Sequence, residues 1–316
     1  MKKFKLAKFG FEVTAEEKII LPPYKGSTFR GRFGHIFKKI VCLNKGKECE
    51  GCLLKEKCLY ISTFETPPPR DSRIMRKYPA VPHPFIIEPP TSLRIEYNKK
   101  EKLNFALILI GRVIEYLPYF IYTFHELGKT GIGKGRGKYI LEKVESLSPT
   151  KKTTVYHEKD KLLHDCYHII TINSFQEIYS HLAQNKIALK FITPTRIKYE
   201  ERLTENLEFH ILIRNLIRRI SLLSYFHCDE EFKKEEIKLL IDKAKKIKIE
   251  NKDLKWYDWE RYSSRQDTMM KLGGFTGDIT YVGKDLKDFL PYILLGTYTH
   301  VGKGATFGLG KYEINI

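Results

Sequence analysis

The 316-residue sequence has no run of about 18 uncharged apolar residues, the length that a membrane-spanning helix needs. The stretch from Phe105 to Tyr122 comes nearest, and Arg112, Glu115 and Pro118 interrupt it. No apolar leader is expected either, because Met1-Lys2-Lys3-Phe4-Lys5 leads straight into an alternating strand pattern. Cysteine is scarce, at six residues. With no leader and no span, these are expected as reduced thiols of an intracellular, cytoplasmic protein with no membrane partner. There is no Gly-Lys-Ser/Thr sequence, which excludes a P-loop. Acidic side chains are the minority: 38 Asp and Glu against 56 Lys and Arg, a net charge of +18. The isoelectric point of about 9.4 lies in the range of nucleic-acid-binding domains. A lysine-rich solvated surface would give the same total. Here, however, basic residues stand beside glycines and aromatics, which favours nucleic acid.

Glycine is concentrated rather than scarce. In the tail, Gly296-Thr297-Tyr298-Thr299-His300-Val301-Gly302-Lys303-Gly304-Ala305-Thr306-Phe307-Gly308-Leu309-Gly310-Lys311-Tyr312 follows an apolar run and precedes an alternating strand. A similar sequence stands in the first half, at Leu127-Gly128-Lys129-Thr130-Gly131-Ile132-Gly133-Lys134-Gly135-Arg136-Gly137-Lys138-Tyr139. Both contain Gly-Lys-Gly and both end in Gly-Lys-Tyr, which predicts two related halves. Without side chains in the way, the amides of Gly302, Gly304, Gly308 and Gly310 could approach a phosphate. Lys303 and Lys311 would supply charge there, and Lys134 and Arg136 in the first copy. His300, just before the tail loop, is a second candidate for the acid–base histidine and is expected to contact RNA or, better, to hydrogen-bond the loop.

A strand is predicted over 4–14 and a helix from Ser27 or Thr28 to about Val41. At 100° per residue, Phe29, Phe33, Ile36, Phe37 and Ile40 gather on one side. His35 points the other way, flanked by Arg32, Lys38 and Lys39. Neighbouring cations favour its neutral imidazole, which suits a general base or acid. Cys42, Cys49, Cys52 and Cys58 follow, spaced C-x6-C-x2-C-x5-C. Four such thiols can surround a structural zinc or hold an iron–sulfur cluster. Lys45, Lys47, Lys55 and Lys57 lie among them. A Pro- and Arg-rich loop spans 67–90. Further strands are predicted near 85–88, 93–97, 103–110, 139–146 and 167–173, with a helix over 112–127 and a polar linker or hairpin at 149–161. The second half reads as a strand at 187–197, helices at 207–226 and 231–247, strands at 254–262 and 274–282, a helix at 285–295 and a final strand. The fold expected is α+β: two tandem ferredoxin-like, split βαβ domains, at 1–180 and 181–316, with the four-cysteine insertion at 42–58 in the first. The open sheet of such a domain is an RNA platform.

Three stretches together resemble a known family. They are Lys25-Gly26-Ser27-Thr28-Phe29-Arg30-Gly31-Arg32-Phe33-Gly34-His35 with the cysteine cluster, Phe191-Ile192-Thr193-Pro194-Thr195-Arg196, and Gly273-Gly274-Phe275-Thr276-Gly277-Asp278 through to the tail loop. They are similar to the CRISPR-associated RAMP endoribonucleases that process precursor CRISPR RNA. The resemblance implies a repeat-RNA partner and attack of a ribose 2′-hydroxyl on the adjacent phosphate with no catalytic metal, leaving a 2′,3′-cyclic phosphate and a 5′-hydroxyl. It places the active histidine at His35 and nominates Tyr24 with Lys38 or Lys39 as helpers. Arg30 and Arg32 are expected on the RNA, any cysteine-bound metal is expected to be structural, and other CRISPR effector subunits or a second copy of the chain are expected partners. A non-catalytic RAMP subunit that binds guide RNA shares all of this except the histidine among cations. A zinc-knuckle nucleic-acid binder leaves the duplicated loops unexplained.

Overall fold

A computed structural model of the chain describes residues 1–44, 49–182, 185–258, 260–263, 268–271 and 273–315. Two units divide it: Phe4–Ile170 with Phe226–Asp229, and Met1–Lys3 with Thr171–Tyr225 and Glu230–Ile316. Among the described residues no helix is long and apolar enough to cross a membrane.

The N-terminal unit runs β1 (Leu6–Ala15), β2 (Ile19–Ile20), α1 (Gly26–Val41), β3 (Phe85–Glu88), β4 (Glu96–Tyr97), β5 (Lys102–Ile110), α2 (Leu117–Thr130), β6 (Tyr139–Leu147) and β7 (Lys152–His157). Its antiparallel sheet has the order β3-β5-β1-β6-β7, and β2 pairs with β4 beside it. Alternation decides the faces: Phe9, Phe11 and Val13 of β1 are fully buried while Lys8, Gly10 and Glu12 between them are only partly so. The buried face receives α1 and α2 through a phenylalanine cluster. Phe33 meets Phe124 with ring centroids 4.7 Å apart and Phe37 meets Phe120 at 5.2 Å. The two helices therefore pass each other in opposite directions. Each such ring pair adds about 0.5–1.5 kcal/mol beyond its burial.

The C-terminal unit contains α3 (Gln176–His181), β8 (Lys186–Thr195), β9 (Ile197–Tyr199), β10 (Arg202–Thr204), α4 (Phe209–His227), α5 (Lys234–Ala244), β11 (Lys248–Tyr257), β12 (Glu260–Ser263), β13 (Thr268–Lys271), β14 (Gly274–Val282), α6 (Leu290–Thr299) and β15 (Tyr312–Asn315). Its main sheet has the order β11-β14-β8-β15, with β9–β10 and β12–β13 as separate two-stranded ladders. In both sheets the first strand lies between the third and fourth of the split βαβ pattern, which makes the two units tandem ferredoxin-like domains.

Two expected strands differ. Residues 167–173 supply only a bridge between Ile170 and Leu6 and then a 3₁₀ turn over Ile172–Phe175. The edge of β6 is already taken by β7, which comes from the segment read as a linker or hairpin. The strand expected at 254–262 begins earlier, as β11, and residue 259 lies outside the described residues.

Candidate active site

Helix α1 starts at an unusual place. Lys25 holds the N-cap position with its side chain 0% exposed, and its Nζ donates to the carbonyls of Pro23 and Ser92. Burial lowers its pKa. The bonds tie the Pro22-Pro23 turn to the helix start and fix the helix on the sheet. Phe29, Phe33, Ile36 and Phe37 then face the core, which turns the opposite edge outward.

That edge carries Arg32, His35 and Lys39, and they line one cleft of 410 Å³ together with Tyr122, Glu126 and Thr130 of α2 and Arg136 of the first glycine loop. His35 is exposed. Its pKa lies below the usual 6.5, first through partial burial and then through Lys39, Arg32 and Arg136. Arg32 donates from Nη2 to the Gly131 carbonyl at 3.2 Å, and its Nε is buried with no hydrogen-bond partner among the described residues. Burial and Arg136 lower the Arg32 pKa. Glu126 pairs with Lys129 at 2.9 Å and stands 3.5 Å from His125. A second cleft of 470 Å³ shares Arg32 and continues past Thr28 and Pro22 to Lys134. The two form one cationic groove. An exposed imidazole whose neutral form is favoured lies within it.

The other expected helpers stand elsewhere. Around the helix, Arg32 and Lys39 both lie about 40–60° to one side of His35, whereas Lys38 lies about 60° to the other. Lys38 accordingly reaches Tyr60, with Nζ 5.3 Å from the ring centre. Arg30 stacks over Phe64 at 4.4 Å. Tyr24 does not line the cleft. Its phenol is held neutral, chiefly by burial and then by the charge of Glu88.

The glycine loops have a structural role that the sequence reading did not assign. In the first copy, Lys134 N–H donates to the Ile20 carbonyl of β2 at 2.9 Å, so the loop is seated on the chain itself. Only Lys134, Gly135 and Arg136 stand exposed at its tip. In the second, Thr193 Oγ1 donates to the Gly308 carbonyl at 2.8 Å and accepts from Lys311 N–H at 2.9 Å. Gly310 N–H donates to the Pro194 carbonyl at 3.1 Å and Lys303 N–H to the Arg196 carbonyl at 2.9 Å. Thus Thr193-Pro194-Thr195-Arg196 is the seat of the tail loop. Gly308 and Gly310 are buried, Gly302, Gly304 and Lys311 half-buried, and Lys303 exposed. His300 is 0% exposed and its Nδ1–H donates to the Leu309 carbonyl at 3.0 Å, the loop bond expected for it; burial takes it away from RNA. The shared Gly-Lys-Tyr signature has the same task twice. Tyr139 Oη donates to the Phe124 carbonyl of α2 at 2.9 Å, and Tyr312 Oη to the Ile293 carbonyl of α6 at 2.6 Å. Each tyrosine pins its strand beneath the preceding helix.

The cysteine cluster does not form the expected centre. All four thiols are free and half-buried, and Asn44 Nδ2 donates to Cys52 Sγ at 3.7 Å. Among the described residues no three His, Cys, Asp or Glu side chains converge as a metal needs. The thiols as placed do not fit zinc or an iron–sulfur cluster, and no chemistry is derived from one. Lys45 and Lys47 lie outside the described residues; Lys55 and Lys57 lie in a 3₁₀ turn.

Comparison with known proteins agrees with this architecture. Residues 4–167 match the family model AF_1859_N, an N-terminal domain, and residues 189–312 match the model for the CRISPR-associated endoribonuclease Cas6. An uncharacterized protein of Archaeoglobus fulgidus is 25% identical over 301 residues, covering 93% of this chain and 92% of its own length. Among solved structures, a partial Cas6-RT-Cas1–Cas2 complex gives a TM-score of 0.59 at 16% identity over 99% of this chain, which spans 46% of that longer chain. A Cas6 product complex gives 0.58 at 14% identity, covering 98% of this chain and 99% of the other. Thermus thermophilus Cas6 gives 0.55 at 14% identity over 99% of each. At these identities the structures show a shared fold. The AF_1859_N model takes in just over half of the chain, which belongs to that family, and the C-terminal part matches the model for the CRISPR-associated endoribonuclease Cas6.

Proposed function

We propose that the protein cuts precursor CRISPR RNA within its repeat, by attack of a ribose 2′-hydroxyl on the adjacent phosphate. The bond from O2′ to phosphorus forms as the bond to O5′ breaks, leaving a 2′,3′-cyclic phosphate and a 5′-hydroxyl. RNA carries its own nucleophile, so the reaction needs a base for the 2′-hydroxyl, an acid for the departing oxygen and cations for the phosphorane. The arrangement of His35 supports this reading: it is exposed in a groove with Arg32, Lys39 and Arg136, and partial burial together with these cations favours its neutral form, ready to accept a proton. Arg32 and Arg136 would hold the phosphate, and Lys39 would serve the departing oxygen. Other CRISPR proteins are proposed as partners, on the strength of the Cas6-RT-Cas1–Cas2 likeness in fold.

The test is cleavage of a labelled repeat RNA in EDTA, with a copy carrying a 2′-deoxy at the scission site. Wild type should cut at one position and the deoxy copy should resist. His35→Ala should be slower by about 10²-fold or more, the usual size of an acid–base contribution. Tight binding with no cutting would instead favour a guide-binding subunit.

A further inference from the structure

Three tyrosines are left over by this mechanism. Tyr116, Tyr119 and Tyr122 are 42%, 46% and 51% exposed on the outer side of α2 and the turn before it. Buried positions of the same helix, Phe120, Phe124 and Leu127, hold it to the core, so the tyrosines are not needed there. Tyr116 and Tyr119 lie with ring centroids 6.2 Å apart, and Tyr122 stacks on His125 at 6.1 Å. The row has two defined ends. Tyr122 lines the His35 cleft. Tyr116 lines a separate pocket of 340 Å³ in the same unit, with Lys57, Arg112, Ser62, Glu56 and His227.

We propose that this face of α2 is a stacking track for unpaired nucleotides of the substrate, leading from the His35 cleft to the Lys57–Arg112 pocket on one side of the scissile phosphate. It rests on the ribonuclease reading above. Spacing agrees with it: six residues separate Tyr116 from Tyr122, or roughly 9 Å along a helix axis. That is room for two or three nucleotides at about 3.4 Å each in a stacked strand. Charge agrees as well. Cations line the pockets at both ends, whereas the stretch between them, residues 117–121, carries no charge. No cation there draws a phosphate chain onto the helix. That leaves the rings as the surface for bases, with the backbone turned outward and drawn in only at the two ends. Stacking on exposed rings tolerates any base, which makes the track a reader of unpairedness rather than of sequence.

The experiment measures binding of the repeat RNA with the 2′-deoxy scission site, which cannot be cut, and single-turnover cutting of the ordinary RNA. The variants are Tyr119→Ala, Tyr116→Ala with Tyr119→Ala, and Tyr119→Phe, each checked for wild-type near-ultraviolet circular dichroism. Each alanine should weaken binding by about 5-fold or more, the lower end of a lost base–ring stack. Phenylalanine should bind like wild type, and the cutting rate at saturating enzyme should stay within a few-fold of wild type. Shortening the RNA on one flank should erase the difference between wild type and the double variant; shortening the other should leave it. Wild-type affinity in the folded double variant overturns the track. So does a Tyr119→Phe loss as large as alanine's, or an effect that no single flank controls. If wild type binds RNA in this ring-dependent way without cutting it, the ribonuclease reading falls and the track stands; if it binds no RNA, both fall.

Discussion

A base for a ribose hydroxyl must be uncharged before it can act, and His35 owes that state to partial burial and three cations. Removing one of them makes its protonated form easier to reach. Arg136→Ala or Lys39→Ala should therefore raise the His35 pKa. In a pH–rate profile of single-turnover cleavage, the acid limb should move to higher pH in both variants. A midpoint that stays put, or moves down, would take the base role away from His35. The same geometry separates the two lysines. Lys39→Ala should slow cleavage by about 10²-fold or more, the lower end of losing one electrostatic contact to the transition state. Lys38→Ala and Tyr24→Phe should stay within a few-fold, because Lys38 reaches Tyr60 and Tyr24 lies outside the cleft. A Tyr24→Phe variant as slow as Lys39→Ala would place the phenol at the reaction after all.

For the loops, seat and tip make different demands on glycine. Gly133 and Gly135 share a φ of +79°, a conformation that costs an L-residue about 1–2 kcal/mol. Their surroundings differ: a Cβ on Gly133 would stand 2.1 Å from the Ile20 carbonyl oxygen, whereas one on Gly135 meets nothing within 4 Å. Gly135→Ala should cost about the conformational amount alone, and Gly133→Ala clearly more, since backbone would have to move from backbone. Urea denaturation of the two variants side by side measures this. Equal losses would mean that the loop does not depend on its seat at β2. Gly310→Ala should resemble Gly133→Ala, with a φ of +74° and a Cβ 1.9 Å from the Val301 carbonyl oxygen. The phosphate-cradling capacity expected of these glycines is thus largely used by the fold, and the first loop's tip, with Lys134 and Arg136, stands exposed.

Across the whole molecule, the sequence made the two-domain plan legible because its signals were local: alternation in β1, the phenylalanine stripe of α1, and a glycine loop before a Gly-Lys-Tyr strand in each half. It made His35 legible because one helix suffices to set an amphipathic face. What it could not give was what crosses between elements. Tyr122, Glu126 and Thr130 reach His35 only because α2 passes α1 in the opposite direction, and Arg136 only because its loop is seated on β2. Exposed positions at helical spacing opposite Phe120 and Phe124 were the one available signal for Tyr122. The net charge of +18 was legible too, but a total does not say which cations meet RNA, and salt dependence can. Each phosphate neutralised on a single strand contributes about 0.7 to the slope of log affinity against log salt. If the groove tip holds RNA, Lys134→Ala with Arg136→Ala should flatten that slope by about 1.4, two phosphates' worth. Lys238, exposed on α5, should leave the slope unchanged when replaced by alanine. Equal flattening in both would mean that RNA is held by the charge of the whole surface, and the groove would lose its claim to the substrate even if His35 kept its own.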